Sequence, residues 1–117
     1  MADFSKDLMA ASSIPLILSI LSEGESYGYE IIKKIKAASG GKLAFAEGTL
    51  YPILKKMEEK GWIESQWKAE GNERPRKYYF LKEEGKTTLA TEKENWLFIS
   101  QILHNLWNQQ QNAPSFT

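Results

Sequence analysis

The stretch EGTLYPILKKMEEKGWIE, residues Glu47–Glu64, carries the pattern on which the fold turns. Leu50, Ile53, Leu54 and Met57 recur at the i, i+3, i+4, i+7 spacing of one apolar helical face. Pro52 stands near its start, close behind Gly48 and Thr49. If Thr49 caps the helix, the proline sits harmlessly in the first turn; if the helix begins near Ala46, the ring meets the carbonyl of Gly48. Either start is stiff. The outer face carries Thr49, Tyr51, Lys55, Lys56 and Lys60, although Glu58 and Glu59 nearly cancel those lysines.

Upstream, Asp7–Glu23 places Leu8, Ala11, Leu18 and Leu21 at helical spacing, with Pro15 either kinking the helix or marking a late first turn. A second helix is expected from an N-cap at Ser26 to the paired glycines Gly40 and Gly41, which suit a left-handed C-terminal cap. Ile31, Ile32 and Ile35 face inward there, and Lys33, Lys34 and Lys36 face water. Downstream, Trp62–Lys68 and Arg76–Lys82 alternate as short strands around the turn-rich AEGNERP, which predicts a β-hairpin with Arg74, Arg76 and Lys77 at its tip. A long helix follows over Glu83–Gln111, with Trp96, Ile99, Leu103 and Leu106 at three-four spacing, and the NAPSFT tail is expected to fray.

Three helices, a hairpin and a long helix define a mainly α chain: a winged helix-turn-helix over residues 1–82, extended by a dimerisation helix and tail over 83–117. In that architecture the second helix of the turn unit enters the DNA major groove and the hairpin reaches phosphates or the minor groove. Thr49, Tyr51, Pro52, Lys55 and Lys56 are then the candidate DNA contacts of the helix, joined by Arg74, Arg76 and Lys77 of the wing. Read singly, the helix segment is equally a plain helix start, and the wing segment is somewhat better read as a solvated turn; their succession favours the DNA reading. The Trp96, Ile99, Leu103 and Leu106 seam needs a partner, and a second copy is preferred because groove readers use two half-sites. Trp96 has two readings, an interface anchor or the wall of a site for a flat aromatic molecule at the dimer axis.

Composition agrees with a small chain that gains from pairing. There are 117 residues, 42% of them hydrophobic, no cysteine, and a formal net charge of zero. The zero conceals a division: Glu30–Lys82 holds twelve Lys or Arg against seven Asp or Glu, and the flanks hold three against eight. The basic part coincides with the proposed DNA face. The longest apolar run, Ile14–Leu21, is too short for a bilayer, and the start does not resemble a secretory signal, so a cytoplasmic protein without membrane contact is expected. Catalytic and metal chemistry lack their residues. His104 is the one histidine, Gly40–Lys42 lacks the rest of a phosphate loop, and the pairs Glu58-Glu59 and Glu83-Glu84 are solvated helix positions. Neither an enzyme nor a cofactor is expected.

Taken together, SYGYEI (Ser26–Ile31), GTLYPIL (Gly48–Leu54), GWI (Gly61–Ile63) and RPRKYYFL (Arg74–Leu81) resemble the PadR family of bacterial transcriptional regulators. The likeness extends over residues 8–107 and is to the small members with a single C-terminal helix. It implies a winged-helix homodimer that represses transcription from a palindromic operator. Its C-terminal helix is implied to pack on the partner's N-terminal helix, near Leu8, and on the partner's C-terminal helix. The TLYP of such proteins lies on the recognition helix, which transfers to Thr49, Leu50, Tyr51 and Pro52, and their basic wing transfers to Arg74, Arg76 and Lys77. Some relatives respond to phenolic acids and others to flat aromatic drugs held between subunits, where Trp96 occupies the matching place. Two positions depart from the pattern: Glu73 replaces a glycine before the wing arginines, and Lys82 replaces a threonine that caps the long helix. The alternative reading is a winged-helix protein-interaction module without specific DNA binding; a regulator whose output is activation is a third.

Overall fold

The computed structural model describes residues 5–112, with side chains described as far as residue 109; the expected tail from residue 113 onward lies outside this range. Seven elements follow one another: α1 (Lys6–Ser22), β1 (Ser26–Tyr27), α2 (Gly28–Ala38), α3 (Glu47–Glu59), β2 (Ile63–Lys68), β3 (Arg76–Leu81) and α4 (Glu83–Asn112). The predicted winged helix-turn-helix with a long terminal helix is the observed fold. Among the described residues no helix is long and apolar enough to cross a membrane.

Local chemistry explains the helix limits. Ser5 caps α1 by accepting from the Leu8 N–H at 3.1 Å. The helix begins well before Pro15, so the proline is interior and the late-first-turn reading is excluded. Two helices end in the same double-bonded left-handed cap. At the end of α2, Gly40 (φ 64°) donates to Ala37 and Gly41 donates to the Lys36 carbonyl at 2.7 Å. At the end of α3, Gly61 (φ 78°) donates to Glu58 and Trp62 donates to Met57. That second cap turns the chain directly into β2.

One expected cap is corrected. Ser26 does not start α2; it lies in β1, fully buried, and its hydroxyl donates to Glu30 Oε1 at 2.6 Å. Tyr27 takes the cap position and makes no side-chain cap bond. The hairpin is likewise part of a three-stranded antiparallel sheet, in the order β1-β3-β2. Ser26 pairs with Tyr79 and Tyr27 with Tyr78, while β2 pairs with β3 from Ile63↔Leu81 to Lys68↔Arg76. This third strand stitches the base of the wing to the beginning of the helix-turn-helix unit.

The core sits where α1, α2, α3 and the inner sheet face converge. Ile17, Leu18, Ile31, Ile35, Leu50, Leu54, Met57 and Ile63 are essentially without solvent contact, and Tyr79 and Leu89 close its edges. Each buried aliphatic side chain is worth about 1.5–3 kcal/mol over exposure, so this cluster carries the domain. Leu89 shows that the first turns of α4 belong to the same core, packed on α1. Beyond Glu92 the helix leaves it, and every residue from Lys93 to Gln109 is exposed. The radius of gyration, 17.9 Å, exceeds the roughly 13 Å of a compact chain of this length because of that projecting helix.

Candidate nucleic-acid interface

With Ala46 as its cap, α3 starts at Glu47, which places Pro52 inside the helix rather than in its opening turn. The missing amide leaves the Gly48 carbonyl without its helical donor. Because Leu50, Leu54 and Met57 are buried, the 3.6-residue period points Gly48, Pro52, Lys55 and Glu59 directly away from the core. The five expected outer-face residues therefore separate, and Lys60, the C-cap of α3, lies over the Trp62 ring at 4.9 Å. Thr49 and Lys56 turn to the α1 flank, where Lys6, Met9 and Phe45 gather around Thr49, and Ala10, Ile14 and Trp62 around Lys56. Tyr51 turns to the opposite flank. Lys55 stays on the crest, and neither it nor Lys56 has an ion-pair partner among the described residues.

Tyr51 is held by a contact that the sequence hides. Its ring lies over Gly28, the first residue of α2; a β-carbon there would fall 2.5 Å from the phenol oxygen and 2.7 Å from Cζ. The bare glycine thus sets how closely the two helices of the turn unit approach. Burial, followed by the Glu47 carboxylate, raises the Tyr51 pKa above its ordinary value, so the group stays a neutral donor and acceptor. Behind it, Tyr79 is pushed up to about 12, first by burial and then by Glu58 and Tyr51.

Glu58 joins α3 to the wing. It accepts from Ser65 Oγ at 2.6 Å, and its other oxygen lies 3.9 Å from Lys77 Nζ. Lys77 is consequently part of a helix-to-wing clamp, and a half-exposed pair of this kind is worth well under about 1 kcal/mol. Arg76 stands on the last rung of the ladder before the turn, with its guanidinium 4.5 Å above the Tyr27 ring. Opposite it, Lys68 is bound to Glu25 at 2.6 Å. Arg74 alone of the three wing cations projects from the turn, with no ion-pair partner among the described residues. Next to it stands Glu73, also exposed.

On α4 the proposed seam is fully displayed. Trp96, Ile99, Leu103 and Leu106 are 38–50% exposed, and Leu8 of α1 is similarly open. Phe98, Ile102 and Trp107 share their half of the helix circumference, so the apolar surface is broader than the four-residue seam. Leu97, also exposed, points from the opposite side. Their signal lay beside the a/d positions, in a helix apolar over half its girth. Trp96 and Ile99 flank a recess of about 160 Å³ with Asn95.

This arrangement has close counterparts. Residues 17–91 match the model of the transcriptional regulator PadR-like family. The negative transcriptional regulator PadR of Bacillus subtilis is 32% identical over 85 residues, and the transcriptional regulator YqjI of Escherichia coli is 33% identical over 86. The aligned parts are 73% and 74% of this chain but only 44% and 40% of those two proteins. Among solved structures, a transcriptional regulator from Clostridium thermocellum superposes with a TM-score of 0.77 at 31% identity, covering 86% of this chain and 97% of the other. A PadR family transcription regulator from Clostridium difficile gives 0.73 at 36% identity, covering 82% and 98%. The chain therefore belongs to the PadR-like family of transcriptional regulators, which are not enzymes.

Proposed function

We propose that the protein is a cytoplasmic homodimeric repressor that binds a palindromic operator, with α3 in the major groove and the wing on the adjacent backbone. The observation that carries this reading is the crest of α3. A helix whose outermost positions are Gly48, Pro52 and unpaired Lys55, stiffened by Tyr51 on Gly28, suits close entry to a groove better than any internal packing role. Thr49, Tyr51, Lys55 and Lys56 are the contacts of the helix, and Arg74 is the leading contact of the wing. Arg76 and Lys77 contribute from positions held by Tyr27 and Glu58.

The second copy is recruited by the apolar side of α4, around Trp96, Ile99, Leu103 and Leu106, with Leu8 of α1 contributing at the edge. Paired Trp96 side chains at the axis would stack on a flat aromatic effector, whose binding shifts the spacing of the two reading heads and releases DNA. A typical coupling of that kind is about 1–3 kcal/mol. Titration with planar aromatic compounds is expected to quench tryptophan emission saturably in the parent and not in Trp96→Ala. Quenching that survives the substitution places the ligand elsewhere.

DNA binding is tested on a duplex from the gene's own upstream region. Lys55→Ala with Arg74→Ala removes four cations from the dimer. The slope of log affinity against log salt should flatten by about 3–4, with affinity falling roughly 100-fold at low salt. Equal affinity of variant and parent at every salt concentration would remove these residues from the interface. The competing role, a winged helix that docks a protein partner, draws on the zero net charge and on the neutralisation of Lys68 and Lys77 by Glu25 and Glu58. Absence of retardation of any duplex by the parent would favour it.

A further inference from the structure

Trp67 is the penultimate residue of β2 and is 66% exposed, a large apolar side chain left in water at the wing. Strand alternation puts it on the face of Ile63 and Ser65, the face applied to α3: Ile63 is buried and Ser65 is bonded to Glu58. Its cross-strand partner is Lys77, whose ammonium lies 3.9 Å from Glu58 of the same helix. The indole thus stands just past the end of the helix-to-wing contact, on the sheet face that turns toward α3. Among the described residues it enters no aromatic pair and receives no cation. It also sits at the far end of the β2-β3 ladder from α4, which begins beyond Leu81, opposite Ile63. A second copy docked on α4 does not account for it.

We infer that Trp67 is a DNA contact, its indole packing against the deoxyribose face of the strand that passes between recognition helix and wing. Two cations accompany it, Lys77 across the ladder on the same face and Arg74 in the turn beyond, while Lys68, next along the strand, faces the other way and is held by Glu25. That combination fits a sugar-phosphate backbone: the cations meet phosphate oxygens and the flat apolar ring covers the sugar C–H groups between them. The inference rests on the DNA-binding reading and adds to it an uncharged contact.

The lack of charge provides the test. In the full-length protein, Trp67→Ala is expected to weaken binding to the upstream duplex about tenfold at every salt concentration, with the salt slope unchanged. Trp67→Phe should stay within about threefold of the parent, and Lys77→Ala should flatten the slope by roughly 0.9 per protomer. Acrylamide quenching provides a second readout that does not depend on the alanine variant: saturating duplex should remove an accessible emission component present in the parent and missing from Trp67→Phe. If the parent binds and Trp67→Ala binds equally well, or if the substitution acts only by flattening the slope, the assignment is overturned while DNA binding stands. If the parent binds no duplex, both fall together.

Discussion

Gly85→Ala is expected to lower the thermal midpoint by roughly 10–20 °C, the cost of about 3 kcal/mol of overpacking in a domain of this size. Gly85 is buried in the first turn of α4, directly over the end of α3 and the start of β2. A β-carbon there would overlap the Trp62 carbonyl oxygen and come within 2.7 Å of Leu81 Cδ1 and 3.0 Å of the Trp62 carbonyl carbon. The Trp62 carbonyl cannot easily yield, because it accepts the Lys82 N–H at 3.0 Å and precedes the first rung of the hairpin ladder. Relief requires lifting α4 off the domain, which takes Leu89 out of the core. Gly48→Ala is the matched control. Its β-carbon meets nothing within 4 Å, so the same substitution should stabilise by about 0.5–1 kcal/mol through helix propensity. Circular dichroism melts at one protein concentration check both, and a Gly85→Ala midpoint within a couple of degrees of the parent would refute the packing argument.

Ile99→Asp combined with Leu103→Asp should convert the protein to monomers at micromolar concentration and weaken operator binding by at least 100-fold. Both residues are exposed on the projecting part of α4, 50% and 39% respectively, so the folded protomer loses little. In a paired α4 the same changes bury four carboxylates in an apolar seam, each without a partner and costing several kcal/mol. The DNA effect follows from valency: two heads on one axis reach affinities about 10²–10⁴ above either alone, and separated heads lose that gain. Sedimentation velocity and retardation of the upstream duplex measure the two effects. A dimer that survives both carboxylates would move the interface away from this face.

Much of the fold was legible because periodicity reports local amphipathicity. The apolar spacings located α1, α3 and α4, the paired glycines ended α2, and alternation around AEGNERP located β2 and β3. β1 was not legible, since two residues carry no period, and Ser26 has the chemistry of a cap as readily as that of a buried strand residue. The candidate interface was half visible. Which residues face outward on α3 follows from its period, but whether Pro52 lay in the first turn depended on the helix starting at Glu47.

By itself, then, the sequence determined the order of the helices and the hairpin, the basic middle, the family pattern and the unpartnered apolar side of α4, because composition and spacing along one chain carry all four. Only the tertiary structure decided which charges are already spent. Glu58 and Lys77, Glu25 and Lys68, and Tyr27 and Arg76 lie 19, 43 and 49 positions apart in the chain and meet only when α3, β1 and the hairpin pack. The same packing set Tyr51 on Gly28 and placed α4 against the Trp62 carbonyl. Long-range contact selects one partner among many chemically equivalent ones, and no local pattern records that choice.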